Sequence, residues 1–101
     1  MFGKNYEAEV KRLFGRVMQE WREGTLKISE ADFGDRYKIS DRFVRMIQAG
    51  QHLPSAMQFI RMVMDMDRGS VWKLMVGLGK IKRQANGDDE PTPDLSSGEK
   101  A

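Results

Sequence analysis

The chain has no cysteine, which excludes disulfides and thiolate-held metals. It has one histidine, His52, and one imidazole cannot build a zinc site alone. No apolar run approaches the roughly 18 residues of a membrane span. The first seven residues lack the apolar stretch of a signal peptide. These absences lead to the expectation of a soluble, cytoplasmic protein. No glycine-rich phosphate loop is present and no nucleophile stands paired with a base. The scattered Asp and Glu residues form no catalytic pair. No enzyme, cofactor, metal or small-molecule substrate is therefore expected. Strand-like alternation is also missing, apart from Met62-Val63-Met64, which is too short to compete with the helical period.

What is present is ordinary in amount and uneven in placement. The 101 residues are 40% hydrophobic and 32% charged, which fits one small domain with a modest core. The net charge is +2 from 17 bases and 15 acids. From Gln84 onward there are five acids and one base, a charge of −4, so residues 1–83 keep 16 bases and 10 acids, a charge of +6. A basic body suits a polyanionic partner. The tail holds one large apolar residue, Leu95, and two prolines. It cannot bury enough surface to offset its ordering entropy. The expected organisation is a folded domain over residues 4–83 and a disordered acidic tail over residues 84–101.

Five helices are predicted. Tyr6, Val10, Leu13, Phe14, Val17 and Trp21 recur at spacings of three and four, so residues 5–23 read as one amphipathic helix. Asn5 suits its N-cap and Gly24 its stop. Ser29 can cap a second helix carrying Phe33 and Tyr37 on one face, with Glu30, Asp32 and Asp35 favourable near the positive end of its dipole. A break falls at Lys38-Ile39. Ser40 caps a third helix to Ala49, with Val44 and Ile47 inward and Gly50 ending it. Pro54-Ser55 opens a fourth, with Ala56, Phe59, Ile60, Val63 and Met66 as its apolar face. After an expected turn over Asp67 to Ser70, a fifth spans residues 70–82. It carries Val71, Trp72, Leu74, Met75, Leu78 and Ile81, and Gly77 and Gly79 weaken it.

The stretch from Ile28 to Met66 resembles the Cro/CI-type phage-repressor domain of the XRE family. Ile28-Ser29 opens the second helix as in that family. Phe33 and Tyr37 match its core positions, and Gly34 matches the small residue where two helices cross. Ile39-Ser40 ends the turn, Val44 and Ile47 face inward, Gly50 closes the recognition helix, and Pro54-Ser55 opens the next. These features fit without a gap over about 39 of the 101 residues. Three departures stand out. Lys38 takes a position usually held by glycine, Glu30 takes the place of a phosphate-contacting glutamine, and Gly24 to Lys27 is longer than the usual loop. The resemblance implies an all-α, five-helix, lambda-repressor-like helix-turn-helix domain. It implies a double-stranded DNA partner bound in the major groove, transcriptional regulation by a repressor, and a location at the nucleoid.

A major groove about 12 Å wide admits one helix, whose N-terminal side chains read base edges. With Val44 and Ile47 inward, Asp41, Arg42, Arg45, Met46 and Gln48 lie outward and Phe43 at the margin. Arg42 is best placed to give two hydrogen bonds to a guanine, and Arg45, one turn later, to reach a base or a phosphate. Met46 suits a thymine methyl. Asp41 suits a cytosine amine or the helix dipole. Gln51 and His52 follow the helix where phosphate runs, and Ser29, Lys38 and Ser40 complete the DNA-facing set. The competing reading is a helical protein-interaction module, such as an antirepressor or assembly factor, without operator recognition. The acids Glu30, Asp32, Asp35 and Asp41 support it, and Arg36, Lys38, Arg42 and Arg45 oppose it. RNA binding is a weaker third, because aromatic platforms on strands are missing.

A single recognition helix reads few base pairs, so such domains usually pair on two-fold sites. The sequence shows no separate oligomerisation domain, so the helical body must supply the interface. Met57 and Met64, two turns apart, stand at positions that are usually polar and outward in the repressor-like frame, and Trp72, Met75 and Val76 add apolar surface on the fifth helix. A homodimer through these residues is expected. The alternative is that they complete a methionine-rich core.

Overall fold

In the computed structural model, which describes residues 6–85, Tyr6–Glu20 form helix α1. The expected cap at Asn5 and residues 86–101 of the expected tail lie outside the described residues, whereas Gln84 and Ala85, which the sequence assigned to that tail, are helical. Gly24 does not end this helix. The chain continues through a π-helical turn, Trp21–Leu26, and stops at Lys27, whose backbone is left-handed at φ 56°. The N–H of Lys27 bonds to the carbonyl of Arg22 at 2.7 Å, the five-residue spacing of a π-turn. Gly24 sits in open space, so nothing there demands a break. The widened turn carries both Trp21 and Arg22 into the interior, where Trp21 is 1% exposed.

Helix α2 is Glu30–Tyr37, capped by Ser29, whose Oγ accepts from the Asp32 N–H at 3.0 Å. Lys38 ends it in the left-handed region at φ 63°, a conformation that a non-glycine residue adopts at some cost. Helix α3 is Asp41–Gln48, capped by Ser40 through the Phe43 N–H at 3.0 Å, and Gly50 turns the chain away at φ 79°. Helix α4 is Ala56–Asp65, started by a capping box between Ser55 and Gln58. Helix α5 is Arg68–Ala85. It starts earlier than expected because Asp67 accepts from the Ser70 N–H at 3.1 Å and from the Ser70 hydroxyl at 2.6 Å. The expected turn is therefore the cap and first turn of the helix. At the other end it runs on from Lys82 to a buried Ala85. All five α-helices expected are present, and no strand occurs among the described residues. No helix among them is long and apolar enough to cross a membrane.

Helix α1 packs on both α3 and α5, and α2 packs on α3. Two glycines permit the closest approaches. A Cβ at Gly15 would run into the carbonyl oxygen of Ile47, and one at Gly34 into that of Ile39. Phe14, Met18, Trp21, Phe33, Tyr37, Val44, Ile47 and Met62 fill the centre. Trp21 meets Phe33 edge-on at 5.4 Å, and Phe33 meets Tyr37 at 4.9 Å. The Tyr37 hydroxyl donates to Asp65 at 2.7 Å and ties α2 to α4. The inward face of α4 is rotated from the expected one. Met62 is fully buried, whereas Ala56 and Ile60 are exposed.

Candidate nucleic-acid interface

Helix α3 is fixed on its inner side by Val44 and Ile47, both 0% exposed. That burial sets the outward register. Asp41, Arg42 and Arg45 are exposed, and so are Ser29, Lys38, Ser40, Gln51 and His52. Phe43 and Met46 are half-buried, and the Phe43 ring lies 5.8 Å from that of His52. The expected residues thus share one region around α3 and the turn before it.

Their side chains are not equally free. The Ser29 and Ser40 oxygens are engaged as caps. Arg45 Nη1 stands 3.5 Å from Glu30 and 3.6 Å from Asp41. Gln48 departs from its expected outward role. It is half-buried, its Oε1 accepts from Arg22 Nε at 2.8 Å, and its Nε2 donates to Glu30 at 2.8 Å. Both ends of its amide are used inside the protein, so it contributes to holding α3 rather than to a surface contact. Arg42 and Lys38 have no ion pair or side-chain hydrogen bond with any described residue.

Arg22 escaped the sequence reading, and it organises this region. Its side chain is only 9% exposed. Beyond Gln48, it donates to the Ile28 carbonyl at 2.9 Å and to Glu23 at 3.2 Å, and Glu30 lies 3.9 Å away. A buried guanidinium needs such a full set of acceptors. The result joins the end of α1, the start of α2 and the end of α3 through one side chain. The signal was there: Phe14, Met18 and Arg22 are spaced by four, which puts Arg22 on the core face.

The residues expected to support pairing are all exposed: Met57 67%, Met64 78%, Trp72 70%, Met75 60% and Val76 38%. They do not complete the core. Ile60 joins Met57 and Met64 along α4 at 49% exposure. Trp72 and Val76 border a groove between α1 and α5 together with Arg16, Lys73 and Lys80.

Two groups among the described residues titrate away from their ordinary values. Burial pushes the Tyr37 hydroxyl up to about 12, and the Asp65 carboxylate reinforces it. The Ser70 hydroxyl bond holds Asp67 below the usual carboxylate value, against an opposing effect of burial. No group of His, Asp and Glu residues able to hold a metal occurs among the described residues. No protein-family model, curated protein or solved structure matches the chain.

Proposed function

We propose that this chain is a sequence-specific regulator that binds double-stranded DNA, a repressor acting as a homodimer on a palindromic site. In this reading α2, the Lys38-Ile39-Ser40 turn and α3 form a helix-turn-helix of the Cro/CI type, with α3 in the major groove. One observation carries it. Arg42 is an exposed guanidinium on the first turn of a helix locked on its opposite side, and it has no partner among the described residues. A cation so placed is pre-positioned to donate two hydrogen bonds to guanine O6 and N7. Lys38, Gln51 and His52 flank it where phosphates run.

Selection of bound sites from random duplex DNA, repeated at two salt concentrations, tests the reading. A symmetric motif is expected. On that motif Arg42→Ala weakens binding by roughly 1–3 kcal/mol and relaxes preference at one base pair. Gln51→Ala weakens all sequences alike. Selection that enriches nothing removes the proposal.

A second reading keeps the fold as a protein-interaction module. It is favoured by the exposed apolar residues of α4 and α5, since exposed apolar surface commonly marks interfaces. The homodimer uses the same surface, and the selection experiment separates the two readings.

A further inference from the structure

Glu30 opens α2, and its carboxylate is shared among three side chains from the π-helical turn and α3. Its Oε2 accepts from Gln48 at 2.8 Å and lies 3.9 Å from Arg22. Its Oε1 faces Arg45 Nη1 at 3.5 Å, and Asp41 faces the same nitrogen at 3.6 Å. Arg45 is thus flanked by two carboxylates on the outward side of α3. Holding an exposed arginine usually costs entropy on both partners. Glu30 is different, because Gln48 and the buried Arg22 already fix it. The two contacts to Arg45 are too long for tight hydrogen bonds, so the arginine is restrained and can still leave.

We propose that Glu30 is a positioning residue that withholds Arg45 from phosphate and releases it only to a matching base. The inference rests on the DNA-binding reading above. Phosphate attraction is independent of sequence and drives non-specific binding. An arginine with a fixed internal partner gains little by exchanging it for one phosphate. A bidentate contact to guanine is stronger than an exposed ion pair and draws the arginine away. The pair Glu30–Arg45 therefore holds binding to random sequence to one phosphate contact fewer, and its cost falls on the matched site, where it must break. Arg42, without such a partner, is under no such restraint.

Glu30→Gln tests this, because the new amide keeps an oxygen for Gln48 but removes the charge. Asp32→Asn is the control: it removes the same charge from the exposed side of α2 without touching Arg45. Affinity for a random-sequence duplex is measured by anisotropy across a salt series. Glu30→Gln is expected to tighten binding by about twofold to fivefold and to steepen the salt dependence by about 0.9, one added phosphate contact. Asp32→Asn leaves the slope unchanged. On the selected site, where the pair must break in any case, the gain from Glu30→Gln is at least as large and the slope is unchanged. In an Arg45→Gln background Glu30→Gln gains nothing. Equal effects of Glu30→Gln and Asp32→Asn, or a gain that persists without Arg45, overturn the inference while leaving the DNA reading intact. If Glu30→Gln loses its helical signal, Arg45→Gln alone decides. An unchanged slope on random duplex supports the restraint, and a slope shallower by about 0.9 overturns it. A wild type that binds no duplex overturns the DNA reading and this inference with it.

Discussion

Replacing Gly15 and Gly24 with alanine should move stability in opposite directions. Each substitution gains about 1 kcal/mol from helix propensity, because glycine loses more backbone entropy than alanine on forming a helix. Gly24 faces open space, with nothing within 4 Å of an added Cβ, so its gain is kept. At Gly15 the added carbon meets the Ile47 carbonyl oxygen and stands 3.0 Å from that of Gln48. Both obstacles are backbone, which cannot rotate away as a side chain can. Overpacking costs about 1–3 kcal/mol even where side chains yield, so the upper end of that range applies. Gly15→Ala is therefore net destabilising by about 1–2 kcal/mol. In a domain of this size that lowers Tm by about 4–16 °C, and Gly24→Ala raises it by about 4–8 °C. Thermal and urea unfolding followed by circular dichroism measure both, with an unchanged m-value confirming that stability alone has moved. If Gly15→Ala raised Tm as Gly24→Ala does, α1 and α3 would not approach as closely as described. The placement of α3 would then need revision.

Three further outcomes follow from the packing. Arg22→Ala leaves the Gln48 amide and the Ile28 carbonyl without their shared donor. It should cost about 2–4 kcal/mol, read as a shift in urea midpoint; a change within about 0.5 kcal/mol would show Arg22 to be merely a surface residue. Tyr37 titrates at about 12 when folded, against 10.0 ordinarily. Its proton is held more tightly in the folded state, so its stabilisation is complete below pH 10 and is lost as the pH rises toward 12. Tyr37→Phe should flatten the stability profile in that window, and an unaltered profile refutes the assignment. Finally, Trp72→Glu, at an exposed position on α5, should shift a dimer to monomer in sedimentation equilibrium without lowering Tm. A wild type that is monomeric at high concentration and on DNA removes the pairing surface.

The parts of the fold that could be read in advance are those encoded within a few neighbouring residues. Ser29 and Ser40 announce helix starts because a hydroxyl before a helix accepts its first free N–H. Val44 and Ile47 follow from spacing, and their burial fixes which way Arg42 points. What could not be read depends on distant partners. Gly15 is indistinguishable from any helix-weakening glycine until the Ile47 carbonyl is placed beside it. Gly77, expected to weaken α5, is where the Leu13 side chain crosses. Gly24 looked like a terminator, yet the helix end was set by the π-turn that buries Trp21 and Arg22. On α4, Ile60 and Met62 are both apolar, and only the rotation imposed by its neighbours buried Met62.

The candidate site shows why counting charges misjudges a surface. Residues 1–83 carry +6, but a cation can act on a partner only if nothing internal already holds it. Around α3 the arginines divide by commitment. Arg22 is buried and fully engaged, Arg45 is shared between Glu30 and Asp41, and Arg42 is open. Their order in the chain does not reveal this division, because Glu30 and Gln48 connect them across three elements. The same contacts that occupy Arg22 and Gln48 keep α3 rigid on α1 and α2. A rigid helix is what allows one unengaged side chain to present a defined geometry rather than a diffuse charge. Scaffold and site are thus one network, in which Glu30 and Asp41, two of the acids that at first argue against an anionic partner, face Arg45 while Arg42 is left open.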